Sequence, residues 1–297
     1  MATTQANPFQ IEAGPLSEEA QVIAAKELHE TPENVAQSLE ILRELIEADQ
    51  SIHYETDDDF LKIFLRPTKF YAKSAFELMH RIAEYRDKYK SIFDNLMPDG
   101  ERDTFANYNV VNILKDRDQL GRRICLINAG KTWDTSRVTN DQLLRCLYLI
   151  QLGAMLEPET QVRGIVVIMD LKDMGMKQVT ALTPAFALRL IGFIQEAMPL
   201  RLKELHILHN PFVFNVAWGI IKPLLTEKTN KRTHFHSGDM ASLHKFIDPA
   251  FLPVDFGGTK EKINYSGKDW LPAIDNYLDF IKKWNACGKR KLSLNVV

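Results

Sequence analysis

Five short apolar runs, separated by stretches with helical periodicity, most restrict how this chain can fold. They are YNVVNIL (108–114), RRICLIN (122–128), GIVVIMDL (164–171), ELHILH (204–209) and RTHFHS (232–237). The first two flank the polar turn KDRDQLG and predict a β-hairpin. Helical patterns over about 140–157 and 184–197 separate later runs. Strands that alternate with helices form βαβ units, so we predict an α/β fold with a mixed, mostly parallel sheet.

The chain before about Pro98 follows a different pattern. Apolar residues recur at helical spacing from Ser17 to about Tyr89, and Thr31 followed by Pro32 is typical of a helix start. We therefore predict a division into four parts. They are a loose tail (1–16), an all-helical domain (17–98), the α/β domain (99–259) and a C-terminal extension (260–297) with one helix around Leu271–Trp284.

Composition excludes several classes of function. The formal net charge of -2 gives no global field for nucleic acid, so we predict no nucleic-acid partner. Cys125, Cys146 and Cys287 fit no disulfide or zinc spacing and suit a reducing compartment. The start MATTQANPFQ lacks a basic region before an apolar run, and no apolar run reaches about 18 residues. We expect no signal peptide and no membrane span, and we predict a cytoplasmic protein.

No catalytic motif is present in the sequence. It has no phosphate-binding glycine loop of the P-loop or dinucleotide type and no G-x-S-x-G turn. Of the clustered histidines, His234 and His236 share one strand face, but no carboxylate lies nearby at ligand spacing. Asp170 ends a buried strand, where it is either a catalytic acid or a carboxylate that caps a loop or pairs with a nearby base. We predict no catalytic residues, no metal and no cofactor, while an α/β enzyme without recognisable motifs stays an alternative.

The stretch HNPFVFNVAWGIIKPLLTEKTNKR (209–232) is too apolar for an ordinary surface helix. Asn210 before Pro211 predicts a cap with proline at the first helical position. Pro223 would clash with the carbonyl group of Gly219, which predicts a kink or hinge. The helix is either buried between two layers or covers an apolar cavity while its other side meets lipid. The basic residues after it either contact an anionic membrane surface or complement the helix dipole.

Four segments together resemble one known family. FLRPTKFYAKSAFELMHRIAEYR (64–86), DRDQLGRR (116–123), MPLRLKELHILHNPFVFNVAWGIIKPLLTEKTNKR (198–232) and FLPVDFGGT (251–259) are similar to segments of CRAL-TRIO proteins. The resemblance covers about residues 57–259. It implies a small helical domain followed by a βαβ sandwich that encloses an apolar cavity under a lid helix. It also implies a cytosolic protein that carries one hydrophobic molecule between membranes without catalysis.

The resemblance also implies ligand-binding positions. These are Leu144, Leu147, Gln151, Ile165, Met169, Leu182, Leu190, Phe193, Ile194, Met198, Ala217 and Ile220. The corresponding lid positions are Phe214, Trp218, Gly219, Ile221 and Pro223. Leu147 and Gln151 stand where the tocopherol-binding member has serines, so tocopherol itself is in question. An amide buried in an apolar cavity needs a partner, and Gln151 is predicted to bind a polar ligand head.

The resemblance also implies contact with a membrane. Positions that form a phosphatidylinositol bisphosphate cleft in the family correspond here to Arg66, Arg201, Lys203, Lys228 and Arg232. We therefore expect a monomer that associates reversibly and peripherally with phosphoinositide-containing membranes. Its ligand would be tocopherol-, retinoid- or carotenoid-like. The alternative is a non-transferring lipid sensor or adaptor that presents lipid to a protein partner.

Overall fold

The computed structural model describes residues 9–290. The chain begins with six helices, and each of the first three is capped by an oxygen-bearing side chain. Ser17, Thr31 and Asp57 accept hydrogen bonds from the backbone N–H groups of Ala20, Asn34 and Phe60. The helices are α1 (Glu18–Leu28), α2 (Pro32–Ala48), α3 (Asp58–Leu65), α4 (Ala72–Lys88), α5 (Lys90–Phe93) and α6 (Arg102–Asn107).

Seven strands form two sheets within residues 9–290. They are β1 (Ile52–His53), β2 (Val111–Ile113), β3 (Arg123–Asn128), β4 (Ile165–Asp170), β5 (Leu202–Leu208), β6 (Thr233–Ser237) and β7 (Gly288–Lys289). The larger sheet has the order β2-β3-β4-β5-β6, with β2 antiparallel to β3 and every later pair parallel. The predicted hairpin and the mixed, mostly parallel sheet are confirmed.

Nine further helices follow the hairpin in the described part of the chain. They are α7 (Asn140–Met155), α8 (Pro158–Arg163), α9 (Met176–Ala181), α10 (Pro184–Glu196), α11 (Phe214–Ile221), α12 (Glu227–Lys231), α13 (Met240–Leu243), α14 (Gly267–Asp275) and α15 (Leu278–Ala286). The single helix predicted around Leu271–Trp284 is wrong, because a break after Asp275 divides it in two. None of the helices in residues 9–290 is both long and apolar enough to cross a bilayer.

The start of α11 also differs from the prediction. Asn210 does not cap it, because the Asn210 side-chain oxygen accepts a hydrogen bond from the N–H of Ser237, 3.1 Å away at the end of β6. The helix begins instead at Phe214, without a side-chain cap. It ends at Ile221, and Pro223 lies in a short 3-10 turn rather than at a kink within a longer α-helix. Proline fits the first positions of such a turn, where its missing N–H costs nothing.

The larger sheet has two different faces, because side chains alternate along each strand. One face packs against residues 240–256, and we call it the filled face. Its side chains and their partners are Ile124, Leu126, Val166, Ile168, Leu208, Leu243, Ile247, Leu252 and Phe256. The other, the cavity face, borders an internal space. It carries Cys125, Ile127, Ile165, Val167, Met169, Leu205 and Ile207.

The two outer parts of the chain are joined. Strand β1 pairs with β7, with Ile52 opposite Lys289. Arg86 on α4 donates hydrogen bonds of 2.9 Å to the carbonyl groups of Trp284 and Cys287. The Trp284 ring stacks on Phe64 with centroids 5.7 Å apart. The C-terminal residues therefore complete the core of the N-terminal helices.

Candidate functional site

An apolar cavity of about 530 Å³ lies between the cavity face and helices α7, α10 and α11. Its volume falls within the roughly 300–1,000 Å³ typical of small-molecule pockets. Helix α7 is fixed at its start by a capping box between Thr139 and Gln142. It supplies Leu147, Ile150, Gln151 and Ala154 to the wall. The site is thus built on regular secondary structure.

Helix α11 covers one side of the cavity. Phe214, Trp218 and Ile221 face inward and line it. The Trp218 ring also meets Phe235 edge-on, with centroids 4.9 Å apart. The outer side of the same segment is exposed and apolar, with 88% of Phe212 and 59% of Val216 accessible. The apolar residues of this stretch therefore divide between an inner side that lines the cavity and an outer side that is exposed.

Eight of the twelve predicted ligand-binding residues line this cavity. They are Leu147, Gln151, Ile165, Met169, Leu190, Phe193, Ile194 and Met198. Four do not line it. Leu144 and Ala217 are fully buried in the core, Leu182 is buried beside α9, and Ile220 is half-buried on α11. Leu144 shares the face of α7 that carries Gln151 but lies two turns, about 10 Å, earlier along the helix. Leu182 follows α9 and belongs to neither α7 nor α11.

Two of the five predicted lid residues lie outside the lining as well. Gly219 is exposed, and a Cβ atom placed there would have no neighbour within 4 Å. Pro223 is exposed in the turn after α11. Phe214, Trp218 and Ile221 are therefore the predicted lid residues that reach the cavity.

One wall was missed, because it comes from the predicted loose tail. Residues 9–12 line the cavity, and Phe9 is buried against the ring of Tyr265 with centroids 4.9 Å apart. The expectation of a loose tail is therefore wrong for these four residues, and residues 1–8 lie outside the described range. The apolar pair Phe9 and Ile11 was the available signal, but two residues show no periodicity.

The polar end of the cavity is neutralised by ion pairs. Arg123 lies 2.6 Å from the carboxylate of Glu157 and 3.1 Å from that of Glu12. Arg117 contacts the same two carboxylates at 3.0 Å and 2.7 Å. Burial works to raise the pKa of Glu157, but hydrogen bonding and charge from Arg123 outweigh it, so the pKa lies below its ordinary value. Each of these charged groups already has a partner within the protein.

Four of the five predicted phosphoinositide-binding residues lie close together, and we call Arg201, Lys203, Lys228 and Arg232 the basic cleft. Arg232 donates a hydrogen bond to the carbonyl of Leu202, which places α12 beside the start of β5. Burial and the charges of Arg232 and Arg201 lower the pKa of Lys228. Burial and the charge of Arg201 likewise lower the pKa of Lys203. Like charges held this close favour an anion between them.

Close backbone contact positions Arg201. Gly164 adopts a φ of +86°, and a Cβ atom there would lie 2.4 Å from the Arg201 carbonyl oxygen. Only glycine combines that φ with such an approach. Arg201 in turn donates a hydrogen bond to the carbonyl of Val162. The side chain is thereby held against the end of α8.

Arg66 differs from the other four. Its side chain is buried, and it forms an ion pair of 2.7 Å with Glu30 and a hydrogen bond of 2.6 Å to Gln161. The assignment of Arg66 to the phosphoinositide-binding set stays a prediction, and its side chain already has two partners within the protein. Lys69, which was not predicted, is close enough for its charge to lower the pKa of Lys228.

A carboxylate from α1 already occupies part of the basic cleft. Glu27 lies 2.8 Å from Arg201 and 3.5 Å from Lys203. The hydrogen bond from Arg201 holds the pKa of Glu27 below its ordinary value. Glu27 is 174 residues from Arg201 in sequence, so no local pattern signals this pairing.

The histidines are engaged with protein groups. Nδ1 of His206 lies 3.0 Å from Nε2 of His236, and Nδ1 of His236 lies 2.7 Å from the Ser242 hydroxyl. No group of three or more potential metal ligands is assembled within residues 9–290. Asp170 lies 2.8 Å from Nδ1 of His209, which is the pairing with a nearby base given as its alternative role.

The fold and the cavity together define an α/β protein with an enclosed apolar site. Residues 107–258 match the CRAL/TRIO domain family. Clavesin-1 of Pongo abelii is 34% identical over 252 residues, covering 84% of this chain and 70% of clavesin-1. Human clavesin-2 is 34% identical over 258 residues, covering 84% and 76% of the two chains. This chain belongs to the CRAL/TRIO domain family, a family of lipid-binding and lipid-transfer proteins.

A solved structure supports the fold alone. The crystal structure of Sfh5 aligns with a TM-score of 0.52 at 13% identity and covers 90% of this chain and 100% of Sfh5. The resemblance predicted from the four segments is confirmed.

Proposed function

We propose that this protein is a cytosolic carrier that holds one hydrophobic molecule and transfers it between membranes. The observation that carries the proposal is the enclosed apolar cavity beneath α11. Its walls come from the cavity face, α7 and α10. Transfer of a lipophile from water into such a space is favourable by about 25 cal/mol per Å² of apolar surface buried. Tocopherol-, retinoid- and carotenoid-like molecules are the candidate ligands.

The outer side of α11 supports reversible membrane association. Phe212, Val216 and the half-exposed Phe235 offer apolar surface beside the cavity cover. Apolar side chains on a helix with basic residues nearby are typical of segments that lie on an anionic membrane. The inner residues of α11 would then exchange the cavity for the bilayer when the ligand leaves.

A transfer assay between two liposome populations tests the carrier proposal. The wild-type protein should move a fluorescent tocopherol or retinoid faster than spontaneous exchange. Ala154→Phe fills the cavity from α7, and we expect at least a tenfold loss of transfer with the protein still folded. Ala36→Phe makes the same change on the exposed side of α2 and should transfer at the wild-type rate.

The same assay separates the carrier from the sensor. Binding of the lipophile without accelerated transfer would contradict the carrier proposal and favour a sensor or adaptor. Neither binding nor transfer would contradict both. An enzyme of unrecognised type would be favoured only by conversion of the bound lipophile.

We propose further that the basic cleft binds the phosphates of a phosphoinositide headgroup. Guanidinium groups bind phosphate oxygens in pairs, and lysines add point charge. Glu27 supports this proposal, because a carboxylate at 2.8 Å from Arg201 marks a position where an anion is stabilised. The headgroup would have to displace Glu27 to make both contacts.

Liposomes with and without phosphatidylinositol bisphosphate test the basic cleft. Arg201→Ala with Lys203→Ala should abolish the preference for the bisphosphate, while Lys282→Ala with Lys283→Ala on the exposed side of α15 should retain it. Glu27→Gln should strengthen binding severalfold, because it removes the competing charge. An unchanged preference in the Arg201 and Lys203 double variant would sink the proposal.

A further inference from the structure

Gln151 is a polar side chain buried in the apolar wall of the cavity. It is 3% exposed and lines the cavity from the middle of α7. Its Nε2 atom lies 3.6 Å from the sulfur of Met155, which is a weak acceptor. Its Oε1 atom is buried and has no hydrogen-bond partner among residues 9–290. The amide oxygen is therefore the unsatisfied group of this wall.

The other buried polar groups around the cavity have partners. Glu157 and Arg123 form an ion pair of 2.6 Å. The Trp270 ring N–H donates a hydrogen bond of 2.8 Å to Asn112. Thr229 and Thr226 have their hydroxyl oxygens 3.0 Å apart. Within the described residues, Gln151 alone combines a place in the cavity wall with a buried, unpartnered polar atom.

The neighbours of Gln151 are apolar, so a hydrogen-bond donor for its Oε1 atom has to come from the ligand. Leu147, Ile150 and Ala154 surround it on the cavity side of α7 and carry no polar side-chain atoms. A buried amide without a hydrogen bond costs about 1–3 kcal/mol. A ligand that donates a hydrogen bond at this point would recover that cost, whereas a hydrocarbon would not.

We propose that the amide of Gln151 binds the hydroxyl group of the ligand, so the ligand class is an apolar alcohol or phenol. The inference rests on the proposed carrier function and narrows it. A hydroxyl group suits the amide in either orientation, because it can donate to Oε1 or accept from Nε2. An ether, ester or aldehyde can only accept, and leaves Oε1 without a donor. A hydroxyl-bearing retinoid or tocopherol-like molecule therefore fits better than its ester or than an unsubstituted carotene.

Two isomers with the same heavy atoms test this pairing. We would measure how 1-hexadecanol and 1-methoxypentadecane displace a fluorescent lipophile from the full-length protein. The wild type should prefer the alcohol by about tenfold, the ratio that 1.4 kcal/mol represents. The ether is the more hydrophobic isomer, so a preference for the alcohol cannot come from the hydrophobic effect.

Variants at one wall position complete the test. Gln151→Met and Gln151→Leu replace the amide by apolar side chains of similar size, and in both the preference should vanish or reverse. Leu188→Met, on the exposed side of α10 outside the cavity wall, should keep the tenfold preference. The inference is overturned if the wild type binds both isomers equally or if the preference persists in the Gln151 variants. If the probe stays bound and neither isomer displaces it, this inference fails while the carrier proposal stands; if the probe itself does not bind, the carrier proposal fails.

Discussion

The two faces of the larger sheet are made from the same strands and the same kinds of apolar residue, yet one is close-packed and the other borders a cavity. On the filled face, Ile168 is fully buried and packs into a closed cluster. On the cavity face of the same strand, Ile165 is only half-buried and borders the internal space. Apolar character along a strand therefore says that a face is covered, but not whether the space beneath the cover is filled.

The difference comes from what lies opposite each face. The filled face meets residues 240–256, whose short helix α13 and 3-10 turns bring Leu243, Ile247 and Phe256 into direct contact with it. The cavity face meets helices α7, α10 and α11. Their side chains hold the helix axes away from the sheet, which leaves room between helix and sheet. Loss of packing contacts at a cavity lowers stability, which suggests that the space is retained for a use.

The largest expected effect is a difference in stability between two identical substitutions on β4. Ile168→Ala should lower the free energy of unfolding by about 3 kcal/mol, because it opens a void in close-packed surroundings. Ile165→Ala should cost about 1 kcal/mol, because its side chain already borders a space. Urea unfolding of the ligand-free protein measures both, and equal costs would break the comparison of the faces.

A smaller effect concerns how the stability of the protein depends on pH through His236 on β6. Burial, followed by the charges of His206 and His234, lowers the pKa of His236 to about 4, while Asp239 opposes the shift. The unfolded chain, with a histidine pKa near about 6.5, binds more protons between these values. Stability should therefore fall as the pH drops from about 6.5 towards about 4, by on the order of 1–2 kcal/mol after allowance for solvent screening.

Substitution identifies the group responsible. His236→Gln should flatten this part of the stability profile, measured by urea unfolding at several pH values. His53→Gln changes an exposed histidine on β1 and should leave the slope as it is. A slope unchanged by His236→Gln would assign the acid sensitivity to other groups.

The smallest expected effect on stability lies on the outer side of the cavity cover. Val216→Ser should change the free energy of unfolding by less than about 0.5 kcal/mol, because Val216 is 59% exposed. Binding to anionic liposomes should nevertheless weaken by about threefold, since the apolar surface offered to lipid is reduced. Val22→Ser alters a valine that is 66% exposed on α1 and should bind liposomes as the wild type does. Equal losses of liposome binding in the two variants would contradict a contact between α11 and the membrane.

The sheet was predictable because its signal is local. Runs such as GIVVIMDL are apolar on both faces, so their composition alone identified the strands, and β4 spans Ile165–Asp170 as expected. The start of α11 was not predictable, because the Asn210 amide is used by a backbone group of β6 that is distant in sequence. Local patterns cannot show which of two partners a capping side chain takes.

The site was predictable to a similar extent. Residues such as Phe193 and Met198 were placed by resemblance, and they line the cavity. Leu144 and Leu182 were placed by the same reasoning but belong to the core, since lining depends on how far the cavity extends, which the sequence does not show. Glu27 could not be found, because only folding brings α1 to the basic cleft.

The pairing of β1 with β7 has a consequence for how the protein is made. It closes a loop that contains 238 of the 297 residues, with Ile52 at one end and Lys289 at the other. Closing such a loop is entropically costly and comes late in folding. During synthesis, the first helices leave the ribosome long before Trp284 and the residues after it exist. We therefore expect nascent chains shorter than about 284 residues to have N-terminal helices that a protease still cuts, with protection only once β7 has emerged.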